Sequence, residues 1–150
     1  MSSIIILPKN VSFIISRLEE NGFCAYAVGG CIRDILLSKK PMDWDICTNA
    51  LPENIISVFS DYKIVTNGIK HGTVTVIIDK ITYEVTTFRI DGNYLDNRHP
   101  DSVVFVDNLK EDLKRRDFTV NAMAYNNKIG IFDCFGGKED LNDKIIRCVG

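Results

Sequence analysis

The chain has 150 residues, 45% of them apolar and 25% charged, and a formal net charge of −2. That balance suits one globular domain with a real core and excludes a disordered chain. No apolar run approaches the ~20 residues of a membrane span, and the slightly acidic balance excludes a broad nucleic-acid-binding surface while leaving room for a small phosphate pocket.

Ile4-Ile5-Ile6-Leu7 is too short for a secretory leader and lacks a basic flank and a small-residue cleavage site. Residues 8–21 carry Val11, Ile14, Ile15 and Leu18 at three- and four-residue steps, which predicts an amphipathic helix stopped at Asn21-Gly22. Residues 23–28 are short and apolar and read as a strand. Gly29-Gly30 then opens a helix to about Ser38, with Ile32, Ile35 and Leu36 facing inward. Lys39-Lys40-Pro41 turns the chain into a second strand over 43–47.

The stretch from Gly29 to Asp45 is where chemistry concentrates. Glycines let a backbone approach a ligand, and free N–H groups at a helix start attract phosphate. The plainer reading of Gly29-Gly30 is a turn. On a strand, residues two apart share a side, so Asp43 and Asp45 face one way while Trp44 and Ile46 enter the core. Two carboxylates ~4 Å apart repel by on the order of 1 kcal/mol in water and a few kcal/mol near a protein surface. A cation offsets that cost, and Mg²⁺ takes one or two carboxylates plus substrate phosphates.

Leu51-Pro52-Glu53 opens the next helix, with Asn49 as its expected cap and Ile55, Ile56 and Phe59 on its core side. A short strand at 62–65 leads to turns at Thr66-Asn67-Gly68 and Lys70-His71-Gly72. His71 reads as a turn residue contacting a neighbouring strand. Residues 73–78 and 81–88 form a hairpin across Asp79-Lys80. Glu84 lies inside its second strand, between Tyr83 and Val85. A charge there is costly unless it faces solvent or has a partner. Either it is exposed, or it joins Asp43 and Asp45 as a third carboxylate.

Residues 91–102 are one long polar segment, including His99, of the kind that is often functional; it reads as a mobile loop closing over the site, with a surface excursion of no consequence as the competing reading. A helix over 109–116 places Asp112 to pair with Arg115 or Arg116. Arg115-Arg116-Asp117-Phe118-Thr119-Val120-Asn121-Ala122 is the second dense cluster. Arginine forks suit triphosphate oxygens, and Asp and Asn suit ribose hydroxyls. A salt-bridged helix junction is the competing reading. A strand at 129–132, a turn at 133–137, a helix at 138–142 and a last strand at 145–149 complete the chain. Early alternation of strands and helices, then paired strands, predicts an α/β (α+β) fold with a mixed sheet and helices on its back. Five cysteines without a Cys-x-x-Cys pair read as reduced, mostly buried thiols of a cytoplasmic protein.

Gly29-Gly30 followed by Asp43-Trp44-Asp45-Ile46 resembles the signature of polymerase-β-like nucleotidyltransferases. With Cys31-Ile32-Arg33-Asp34, Glu84-Val85-Thr86-Thr87-Phe88-Arg89 and the cluster from Arg115 to Ala122, the chain is similar, over about residues 20–150, to the head domain of class II tRNA nucleotidyltransferases: bacterial CCA-adding enzymes and the related poly(A) polymerases. The resemblance implies a mixed, mostly antiparallel sheet with helices packed on one side. It implies catalytic Asp43, Asp45 and Glu84, with Asp43 and Asp45 holding Mg²⁺. It places Gly30 and Arg33 on the triphosphate of CTP or ATP, Gly29 among the nucleotide-binding residues, and Arg116, Asp117 and Asn121 on the nucleotide and its ribose. The expected partners are CTP, ATP and the 3′ end of tRNA or another RNA, with no membrane. Residues 1–150 would be the head (catalytic) domain, with the family's base-reading neck, body and tail beyond Gly150. A poly(A) polymerase or A-adding enzyme is the nearest alternative. A small-molecule-modifying nucleotidyltransferase on the same core and a nucleotide-binding module without chemistry are the more distant ones.

Overall fold

The computed structural model describes residues 5–91 and 103–150. Helix α1 (Lys9–Glu20) buries Val11, Ile14, Ile15 and Leu18, the stripe its sequence period requires. It runs into β1 (Ala25–Val28), and α2 (Gly30–Leu36) follows directly. Strand β2 (Asp45–Thr48) begins two residues later than its sequence indicates, so Asp43 lies on the approach to the strand. Trp44 and Ile46 still pack into the core. Helix α3 (Pro52–Val58) has Pro at its first position but is not capped by Asn49. The Asn49 Oδ1 instead accepts the Cys24 N–H at 2.9 Å, satisfying a donor just before β1, while Asn54 Oδ1 accepts the Leu51 N–H at 3.1 Å.

Strand β3 (Lys63–Val65) leads through a 3₁₀ turn at Ile69–His71 into β4 (Thr73–Ile78) and β5 (Ile81–Thr87). Asp79 and Lys80, at φ 54° and 67°, make the tight turn between them. A separate ribbon pairs β6 (Arg89–Asp91) with β7 (Val103–Phe105). The predicted loop and its His99 lie outside the described residues, apart from the backbone of Asp91, which ends β6. Then come α4 (Leu109–Lys114), a 3₁₀ turn at Thr119–Asn121, β8 (Ala124–Asn126), β9 (Gly130–Phe132) and α5 (Gly137–Asn142). The expected last strand makes a single bridge, Phe118 to Cys148, because its partner segment turns away into the 3₁₀ turn at Thr119.

Seven strands form one sheet in the order β3-β4-β5-β2-β1-β8-β9. Among the described strands of this sheet only β2 and β5 run parallel; the other pairings are antiparallel. Helices α1, α2 and α3 cover one face with Ile14, Leu18, Ile32 and Ile55. The expectation of helices on one side holds for these three. Helix α4 lies against the other face, where Leu113 packs with Val28, Cys47, Phe88 and Ala124. Ile46 points to the three-helix face, so Asp45 must point to the opposite one. Register places Asp45 beside Val28 on one side and Glu84 on the other. The central pair of strands thereby carries two carboxylates to the end of β1 where the glycine turn begins.

The start of α5 is pressed onto the 3₁₀ turn. A Cβ at Gly137 would sit 2.1 Å from the Thr119 carbonyl oxygen. That oxygen belongs to backbone and cannot swing aside, so Gly137→Ala is expected to cost about 2–3 kcal/mol. Thermal unfolding followed by circular dichroism should show a fall of roughly 4–12 °C. An unchanged melting temperature would mean that α5 does not rest on this turn.

Candidate active site

The site is built on the turn between β1 and α2. Gly29 adopts φ +85° and ψ −139°, a region that residues with a side chain avoid, and its N–H donates to the Met123 carbonyl at 3.1 Å. A Cβ there would approach Arg116 Nη1 to 3.5 Å, so the guanidinium lies directly over the turn. At Gly30 a Cβ would meet Arg33 Nη2 at 3.2 Å. The two glycines keep two arginines close to the main chain.

Each arginine is held by neighbours. Arg33 donates from Nη1 to Asn121 Oδ1 at 2.8 Å and from Nη2 to Asp34 Oδ1 at 3.0 Å. Asn121 in turn donates from Nδ2 to Asp117 Oδ1 at 3.3 Å, and Phe118 N–H donates to the same oxygen at 2.7 Å. The Phe118 N–H above all, then Asn121, holds the exposed Asp117 carboxyl below its usual range. Arg116 Nη2 reaches Asp112 Oδ2 at 3.3 Å, and Arg115 Nε reaches Asp112 Oδ1 at 3.4 Å. The buried Arg116 Nε has no acceptor among the described residues.

Asp45 lines the same cleft as these cations and lies close enough to Arg116 to feel its charge. Solvent reaches it, yet protein surrounds much of its carboxylate, and that desolvation raises its pKa. Arg116 works against the rise, while Glu84 and Asp43 add to it by like-charge repulsion. Glu84 is exposed on β5 and accepts the Thr75 hydroxyl at 3.2 Å. Among the described residues, no group of three His, Cys, Asp or Glu side chains is disposed to hold a metal unaided.

The open cleft between these elements measures about 410 Å³ and is lined by Gly29, Gly30, Arg33, Asp45, Arg115, Arg116, Asp117 and Asn121. Seven of the nine residues singled out from the sequence therefore share one space. Asp43 and Glu84 flank it without lining it. Arg115 is an addition, legible only as half of a tandem pair. The competing view of residues 115–122 as a salt-bridged junction describes the same geometry, because Asp112 pairs with both arginines. His71 ends its 3₁₀ turn, where its carbonyl accepts Arg89 Nη1 from β6. Cys31 and Cys47 are buried and Cys24 is half-buried, but Cys134 and Cys148 are exposed; all five are free thiols. Burial pushes the Cys31 thiol up to about 11, which leaves it inert beside the cleft.

Residues 25–147 match the family model described as the poly A polymerase head domain. The chain belongs to the poly(A) polymerase head-domain family. Similar relatives within reach of this family are CCA-adding enzymes. The one from Lactobacillus delbrueckii subsp. bulgaricus is 51% identical over 137 residues, which is 91% of this chain and 34% of that protein. The one from Enterococcus faecalis is 50% identical over 142 residues, 95% of this chain and 34% of that protein. The crystal structure of the Bacillus stearothermophilus CCA-adding enzyme in complex with CTP superposes with a TM-score of 0.85 at 46% identity, covering 97% of this chain and 34% of that one. A tRNA nucleotidyltransferase complexed with a primer tRNA and an incoming ATP analogue superposes at 0.73 with 33% identity, covering 91% of this chain and 39% of that one. The chain thus spans about a third of the length of the relatives it matches. The nucleotidyltransferase fold expected from the sequence is the fold observed. No helix among the described residues is long and apolar enough to cross a membrane.

Proposed function

We propose that residues 1–150 form the catalytic head of an RNA 3′-terminal nucleotidyltransferase that adds CMP and AMP from CTP and ATP to tRNA and releases pyrophosphate. The observation that carries this reading is Asp45 lining one cleft with Arg33, Arg116, Gly29 and Gly30. Complexes of similar proteins with CTP, and with primer tRNA and an ATP analogue, support the same substrates. The cytoplasm, where tRNA and reduced thiols are found, is the compartment this reading implies.

The donor set fits a hard divalent cation. The Asp45 carboxyl is raised by desolvation and by the charges of Glu84 and Asp43, and Arg116 offsets only part of that rise, so a cation beside it relieves a remaining cost. With no third protein ligand among the described residues disposed to complete a shell, one or two carboxylates plus substrate phosphates is the arrangement Mg²⁺ accepts. Asp43 and Asp45 would hold it. When bound, Mg²⁺ supplies activation of the RNA 3′-hydroxyl and neutralisation of phosphate charge.

The chain's own residues do the remaining work. Gly29 and Gly30 let the triphosphate approach the main chain. Arg33 and Arg116 draw negative charge from the α-phosphate as it is attacked and from the departing pyrophosphate. Asp117 and Asn121, locked to each other and to Arg33, present one fixed polar edge to the ribose. Glu84 raises the negative potential at Asp45 and so reinforces the cation site.

The test is a graft. This chain replaces the corresponding head of the Bacillus stearothermophilus enzyme, and tRNA lacking its 3′ end is offered with radiolabelled CTP or ATP. Incorporation of both is expected. The description of the family model favours one alternative, addition of adenosine only, which would appear as incorporation from ATP alone. Mg²⁺-dependent nucleotide binding with no incorporation would instead mark a binding module.

A further inference from the structure

We propose that Asp112 is a positioning residue that aims Arg116 at the phosphate end of the nucleotide. The inference rests on the nucleotide-transfer reading above. Asp112 is the most deeply buried charge near the cleft: its side chain is 1% exposed, against 19% for Arg116. It accepts three donors from two elements. Arg115 Nε and Arg116 Nη2 come from the end of its own helix, and the Arg89 N–H from β6 comes at 3.0 Å. The Arg89 N–H and the Arg115 Nε share Oδ1, which leaves Oδ2 to Arg116. A carboxylate fixed on one oxygen by a strand backbone cannot rotate freely, so its other oxygen sets where the Arg116 fork lies. That fork lies over Gly29, beside Asp45.

Net charge and positioning predict opposite signs here. Asp112 cancels one of two arginine charges at the rim of the cleft. If charge alone mattered, Asp112→Asn would tighten triphosphate binding. If Asp112 sets the direction of the guanidinium, the same substitution loosens binding, because the neutral amide offers Arg116 a weaker anchor or turns an N–H towards it.

Calorimetric titration of the 150-residue chain with CTP and Mg²⁺ separates the two. Asp112→Asn is expected to weaken CTP binding about tenfold and to change CMP binding less, since CMP lacks the two outer phosphates. In an Arg116→Ala background the same substitution should have little further effect. Tighter CTP binding, equal losses for CTP and CMP, or full additivity with Arg116→Ala would overturn the proposal. A second measurement needs no Asp112 variant: in the nucleotide-free protein, slow rotation of the Arg116 guanidinium, seen as split Nη signals by NMR and assigned with Arg116→Lys, is expected. A freely averaging guanidinium would also overturn it. Failure of the unaltered chain to bind CTP would overturn the nucleotide reading itself and with it what rests on that reading, whereas CTP binding with an unheld Arg116 would overturn only the role of Asp112.

Discussion

Asp45→Asn in the grafted enzyme is expected to lower CMP and AMP transfer by at least ~10³-fold and, in the isolated chain, to raise the melting temperature at neutral pH. Both effects have one origin. The carboxylate is desolvated by the surrounding protein and repelled by Glu84 and Asp43, and the attraction of Arg116 offsets only part of this. Its folded pKa therefore exceeds the 3.8 of a free aspartate. Between 3.8 and that raised value the folded protein binds more protons than the unfolded chain, so stability falls as pH rises through the interval. Below it the penalty is absent; above it the penalty is complete. The amide has no such penalty at any pH. Melting curves from pH 3 to 7 should show the unaltered chain losing stability relative to the variant as pH climbs. Divalent cation with nucleotide should return part of that loss only where Asp45 is present. A variant that melts lower at pH 7, or that still extends tRNA, would contradict this account.

Arg116→Ala is expected to weaken CTP binding by about 100-fold, since it removes a charge-assisted fork from the triphosphate. It should also weaken the fold. Asp112 is buried and would keep, among the described residues, Arg115 and the Arg89 N–H as partners, a loss of about 1–3 kcal/mol. Arg116→Lys restores the charge without the fork and should recover stability better than affinity. Titration calorimetry and urea denaturation on the same preparations separate the two losses. Affinity unchanged in Arg116→Ala would remove Arg116 from the nucleotide.

The parts of the fold that were legible in the sequence are those where a local pattern has one physical solution. Helix α1 has its apolar stripe at the right step, and Asp79-Lys80 separates two β-rich runs. The glycine turn was legible because two adjacent glycines close an apolar run and open a helical period, and the Asp-x-Asp that follows gave it a function beyond that of a plain turn. What was not legible was set by distant partners. Asn49 looked like a cap, but Cys24, 25 residues away, supplies the donor it takes. Strand β8 is buried on both faces, so Ala124, Tyr125 and Asn126 show no alternation. The final strand failed because its partner becomes a 3₁₀ turn. At the site, the residue types were readable, but the shift of Asp43 off the strand was not. The start of regular pairing depends on where β1 ends, at Val28, opposite Asp45.

Asp43 and Asp45 are proposed to hold together a divalent cation that the nucleotide helps to bind. Mn²⁺ offers a direct reading, because its electron paramagnetic resonance signal is lost from the free-ion spectrum on binding. Titrated into the 150-residue chain, Mn²⁺ should bind weakly alone and far more tightly once CTP is present, beyond the affinity of Mn²⁺ for CTP itself. Asp43→Asn and Asp45→Asn should each abolish that gain. Equal Mn²⁺ binding by the unaltered chain and by both variants in the presence of CTP would contradict it.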